Sequence, residues 1–197
     1  MASVALASWQ GDRATHLDEL LEAHGLVGGQ SRGRRWRTTQ LNHSLTLLLA
    51  AEFQGFARDL HDLASSTFAS WAAPTNPTLQ GVIEARLTDG RLLDRGNAQA
   101  SSLGSDFGRF GFSLWPVLAA RNPDAKVRQA RLEALNVARN AIAHADAGAL
   151  AGLRAQGYPM TLQTIRIWRT SLDRLAGSLD VEVAGQLGQL FGRPPPW

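Results

Sequence analysis

The apolar positions of this chain fall into helical registers and almost nowhere into alternation. From Asp12 to His24, Leu17, Leu20 and Leu21 recur at helical spacing, and Gly25 with Gly28-Gly29 ends the pattern. The strongest periodicity runs from Thr39 to about Ser65, where Leu41, Leu45, Leu48, Phe56 and Leu63 lie within roughly 80° of one another at about 100° per residue. That pattern predicts a long helix with one face in a core. Asn76-Pro77 supplies an N-cap and a first helical position for a third helix through Leu79 to Leu87. Asn122-Pro123 opens another by the same logic, through Val127, Leu132, Leu135, Val137 and Ile142 until Asp146 to Gly148. Pro159 to about Leu175 is amphipathic through Leu162, Ile165, Trp168 and Leu172, and a weaker segment from Val181 to Phe191 precedes an Arg-Pro-Pro-Pro-Trp tail. Residues 88–122 are rich in Gly, Ser and Asp but carry Phe107, Phe110, Phe112 and Trp115, and read as a loop or short-helix region packed by those aromatics. No run reads as a convincing strand, and no internal repeat is present. The expectation is one all-α domain over residues 1–197, a helical bundle with additional helices and loops, its core between about 12 and 175 and residues 176–197 as an extension.

Composition narrows the chemistry. The chain has 197 residues, 44% of them hydrophobic, which is enough for one full core. It has no cysteine, which excludes disulfides, thiolate nucleophiles and sulfur-ligated zinc, so a metal site is not expected and neither is a cofactor. The N-terminal stretch lacks a basic region and a long hydrophobic run, and Leu47 to Ala51 is too short to cross a bilayer. A cytoplasmic protein without membrane association is the default expectation. The formal net charge is +3, and Lys126 is the only lysine, so almost all positive charge is guanidinium. Arginine's planar fork can grip two phosphate oxygens, which favours a phosphate-bearing partner. Arginine and alanine richness is equally what a GC-rich genome produces.

Two places carry polar groups that need a reason. Glu52 falls in the middle of the apolar stripe of the long helix, so its carboxylate requires a partner or must stay protonated. The segment Leu135 to His144 sets Arg139, Asn140 and His144 on a helix otherwise built from small and aliphatic residues. Asn140 and His144, four apart, stack on one face, and Arg139 reaches them only through its length. Cleavage of RNA without a metal needs a base for the 2′-hydroxyl proton, an acid for the leaving oxygen and a cation for the charge building on phosphorus. Histidine exchanges protons near neutral pH and a guanidinium stays charged throughout, so the pair covers these roles. One helix does not easily supply every group, and a second copy across a dimer interface would complement it.

Arg139-Asn140-Ala141-Ile142-Ala143-His144 resembles the Arg-x(4–6)-His signature of HEPN domains, in the form with Asn directly after Arg near the end of a late helix. The arginine-rich connection, followed by Leu41-Asn42 and a Leu47 to Leu60 helix containing Ala51-Glu52-Phe53-Gln54-Gly55-Phe56, is similar to the RiboL-PSP type of HEPN protein. The likeness covers about Asp12 to Leu175. It implies a helical-bundle homodimer whose two Arg-His motifs meet and cleave RNA by 2′-hydroxyl attack, in toxin-antitoxin or anti-phage systems, with an acidic antitoxin as a further partner. Some members of the family lack nuclease activity, and an inactive module that binds RNA or protein is the alternative.

The site expected from these readings comprises Arg139 and His144 as catalytic groups, with Asn140 and Glu52 in support, Glu52 orienting Arg139 or His144 across the helix pair. Arg32, Arg34, Arg35 and Arg37 with Trp36 would form an RNA landing site where a base stacks on the indole, a plain solvated loop being the other reading. His144 as a helix-end histidine beside the last carbonyls and Arg139 as a structural ion-pair partner of Glu52 are the structural readings of the same residues. His16, His24, His43 and His61 show no ligand spacing or nearby partner and read as structural.

Overall fold

The computed structural model describes residues 1–28 and 35–197. Among these the chain forms ten helices and no strand. The long helix predicted around Leu45 and Phe56 is α3, Arg35–Ala72, and it is the axis of the fold: α1 (Val4–Gln10), α2 (Asp12–Gly28), α4 (Pro77–Thr88), α8 (Ala125–Ala143) and α10 (Leu162–Phe191) all pack on it. Its core face presents Leu45, Leu49, Phe53, Phe56 and Leu60, all essentially inaccessible to solvent. Trp9 of α1 seals one end of this face against Phe53 and Phe56, with ring centroids 5.7 and 5.9 Å away. Asn76 caps α4 as its sequence predicts, its side chain accepting from the Leu79 N–H with Pro77 in the first turn.

The aromatic segment after α4 folds into α5 (Leu92–Arg95), α6 (Ala100–Gly108) and α7 (Leu114–Arg121). Phe107, Phe110, Leu103 and Leu114 are buried there, so the aromatics pack a core as expected. A ninth helix, Ala147–Ala155, follows α8 directly, its N-cap Asp146 accepting from the Ala149 N–H. The expected start of α8 at Asn122-Pro123 lies slightly further on: Asn122 forms a local turn, its side chain accepting from the Asp124 N–H, and the helix begins at Ala125.

The expected core boundaries were too narrow at both ends. Ala5, Leu6 and Trp9 are buried before residue 12, and Leu179, Val183 and Leu187 are buried after residue 175. The predicted helix at 159–175 and the weaker segment at 181–191 are one continuous α10, because small residues at Ala176, Gly177 and Gly185 weaken the apolar signal without breaking the helix. The tail then folds back: Gly192 adopts the left-handed conformation (φ 62°), and the Trp197 indole donates to the Asp180 carbonyl at 3.3 Å. Gly188 makes room for this crossing, since a Cβ there would stand 2.7 Å from the Arg193 carbonyl oxygen. No helix among the described residues is long and apolar enough to cross a membrane.

Candidate active site

The motif sits where α8 ends. His144 is the C-cap residue directly after Ala143, its N–H bonded to the Asn140 carbonyl at 3.0 Å. Ala145 follows with a positive φ of 53°, the Ala145 N–H reaches the Ile142 carbonyl at 3.3 Å, and the Asp146 N–H reaches the Ala141 carbonyl at 2.8 Å. This is the paired bonding of a Schellman ending, with alanine in the left-handed position that α10 fills with Gly192. An alanine there is strained by about 1 kcal/mol. Asp146 at once caps α9, so the corner is held from both sides. Its outcome is an exposed His144 whose ring has no hydrogen-bond partner among the described residues.

Arg139 and Asn140 stand one turn earlier and are half-buried. The Arg139 Nη1 donates to Asn140 Oδ1 at 3.2 Å, and the same oxygen accepts from Asn97 Nδ2 at 2.7 Å. Asn97 belongs to a strap between α5 and α6 that α8 fastens at two more points. Asn136 Nδ2 donates to the Ala98 carbonyl at 3.0 Å, and Glu133 Oε1 accepts from the Ala100 N–H at 2.6 Å. Glu133, Asn136 and Asn140 are spaced i, i+3, i+7, so one polar stripe of α8 binds the strap and in doing so fixes the amide that holds Arg139. The sequence reading missed Asn97, Glu133 and Asn136. The polar stripe was a legible signal; its partner, 33 or more residues earlier in the chain, was not.

Glu52 stands elsewhere. Its two oxygens accept from Arg13 Nη1 at 2.8 Å and His16 Nδ1 at 2.9 Å, both on α2, while the second arm of Arg13 reaches Asp59 at 2.7 Å. This corrects the expectation that Glu52 orients Arg139 or His144: both oxygens are engaged by α2, and the Arg139 guanidinium turns to Asn140. Burial pushes the Glu52 carboxyl up, but the hydrogen bonds from His16 and Arg13 outweigh it and the net direction is downward. The Arg13 guanidinium lies across Gly55, where an added Cβ would overlap it, so the mid-helix glycine is the saddle over which Arg13 reaches both Glu52 and Asp59.

The remaining histidines have more partners than the sequence suggested. His24 bonds Asn42 Oδ1 at 2.9 Å in a buried pair between α2 and α3. His61 is fully buried between Phe107 and Phe110, its Nε2 donating to the Asp106 carbonyl at 3.1 Å. Burial, with Arg91 nearby, holds the His61 imidazole below its ordinary value. These are structural roles, as expected, but with specific partners. No group of three or more potential metal ligands occurs among the described residues. Of the expected landing site, Arg32 and Arg34 lie outside the described residues, as do the side chains of Arg35, Trp36 and Arg37 at the start of α3. No family model, no curated protein and no solved structure matches the chain.

Proposed function

We propose that the chain is a metal-independent endoribonuclease of the HEPN type, acting through Arg139 and His144. The observation that supports this best is the construction of the corner after α8. A strained, doubly bonded turn presents an unpartnered imidazole to solvent, and one turn away an amide anchored from another element holds a guanidinium. A helix end that needed only stability would place glycine at position 145.

In this reading the His144 ring takes the proton of a ribose 2′-hydroxyl, whose oxygen then bonds the adjacent phosphorus. The bond from phosphorus to the 5′ oxygen breaks, and that oxygen leaves with a proton from a second imidazole, contributed by His144 of another copy of the chain. The Arg139 guanidinium binds the non-bridging oxygens and meets the charge that builds on them. Asn140 is a positioning residue for Arg139. The products are a 2′,3′-cyclic phosphate and a free 5′-hydroxyl. A DNA oligonucleotide with a single internal ribonucleotide tests the reading. Wild type cuts 3′ of the ribose, whereas Arg139→Ala and His144→Ala, folded by circular dichroism, do not. Undiminished cutting by folded His144→Ala contradicts it, and absence of cutting by wild type across RNA substrates favours an inactive binding module.

A further inference from the structure

We propose that the face shared by α8 and α10 is a track for a single-stranded phosphodiester backbone; the nuclease reading above serves only to name RNA as the polyanion. Along α10, Arg166, Thr170, Arg174, Ser178 and Val181 recur at three- and four-residue steps and share one side of the helix. Facing them are Arg128 and Arg131 of α8, with Arg121 at the end of α7. The helices leave two hollows in line along this side: one of about 410 Å³ bordered by Arg121, Arg128 and Arg174, the other of about 300 Å³ bordered by Arg131 and Arg166.

The charge on this face is unbalanced. Five guanidiniums meet two carboxylates, an excess equal to the formal net charge of the whole chain, +3. Arg128 is pinned, donating to Ser178 Oγ at 3.0 Å with Asp124 at 3.5 Å, and Arg121 lies 3.6 Å from Glu182. Arg131, Arg166 and Arg174 have no carboxylate within ion-pair reach among the described residues. Like-charged groups held this close without counter-ions on the protein call for anions from outside.

The geometry fits an extended backbone. Arg166 and Arg174 are about 12 Å apart along α10, so a chain of phosphates can meet them in succession. On α8, Arg128, Arg131 and Arg139 fall within about 80° of one another, and Arg139 stands about 12 Å beyond Arg131. The track therefore runs toward the helix end that carries the motif. An acidic amphipathic helix, the rival occupant, would need a continuous apolar stripe to lie on. Along the two hollows the exposed apolar residues of α10 are Ile167 and Val181, separated by about four turns, and the third exposed one, Leu190, borders neither hollow.

The test measures binding of a fluorescein-labelled uridine 20-mer carrying 2′-O-methyl groups, which has no attacking hydroxyl and is not cut, so the result does not depend on catalysis. Arg166→Ala/Arg174→Ala is compared with Arg86→Ala/Arg95→Ala, which removes the same charge from α4 and α5, each over a series of salt concentrations. The α10 double should weaken binding about ten-fold at low salt and flatten the slope of log K against log salt by about 1.4, two phosphate contacts' worth. The control double should leave the slope unchanged. Equal weakening by both doubles, or no measurable binding by wild type, overturns the proposal. So does displacement of the RNA by polyglutamate from wild type at similar concentration, which would assign the face to an acidic protein.

Discussion

Gly55→Ala should destabilise this protein, against the expectation from helix propensity, and the sign should reverse when Arg13 is removed. In the interior of α3, alanine is favoured over glycine by about 1 kcal/mol. A methyl group at position 55, however, occupies the space of the Arg13 guanidinium and forces it off Glu52 and Asp59. The side chains are 21%, 12% and 43% exposed, so the Glu52 contact is the more shielded and the Asp59 contact is largely screened. Losing both is worth about 2 kcal/mol, mostly from Glu52. The single substitution should then lower stability by about 1 kcal/mol, or about 2–4 °C in Tm for a domain of this length. In an Arg13→Ala background there is nothing to displace, and Gly55→Ala should raise stability by about 1 kcal/mol. Urea unfolding of the four proteins gives a coupling of about 2 kcal/mol. A gain from Gly55→Ala in both backgrounds would refute the saddle.

Glu52→Gln should cost about 1–2 kcal/mol of stability, since an amide cannot accept from both Arg13 and His16, and should leave RNA cleavage unchanged well below the unfolding temperature. Because the folded carboxyl titrates below its ordinary 4.5, the wild-type advantage is present above that value and vanishes as the pH falls through the lower, folded one; cleavage lost with the fold intact would return Glu52 to the chemistry. Ala145→Gly should raise stability by about 1 kcal/mol in thermal unfolding by releasing the left-handed alanine, and an unchanged or lower Tm would show that the turn is not strained. Asn97→Ala should reduce cleavage by about ten-fold with the loss mainly in kcat, because a mislaid Arg139 weakens the transition state more than substrate binding; a pure KM effect would contradict the positioning role.

The helices with a core face were legible because burial imposes a period. Leu45 and Phe56 in α3, Asn76-Pro77 before α4 and the Phe107–Trp115 packing followed from residue type and spacing alone. The short α1 and α9 were not, since seven and nine residues give too few turns for a period to emerge. The unity of α10 was hidden by its small residues. The site divides in the same way. His144, Asn140 and Arg139 lie on one helix, so their proximity could be read from numbers. The Asn97 anchor and the capture of Glu52 by Arg13 and His16 join elements 36 or more residues apart, and nothing local in the sequence reports such a meeting. Glu52 was correctly seen to need a partner, but the partner came from α2 because Gly55 opens α3 toward that helix.

The central claim is that the Arg139 and His144 groups cut a phosphodiester through the neighbouring ribose hydroxyl without a metal. Purified wild-type and His144→Ala proteins should be incubated with total RNA in excess EDTA, and the new termini sequenced by a ligation that distinguishes 2′,3′-cyclic phosphate from 3′-hydroxyl ends. Cyclic-phosphate ends that arise with wild type and are absent with His144→Ala are the predicted result; 3′-hydroxyl ends, or the same ends from both proteins, would contradict it.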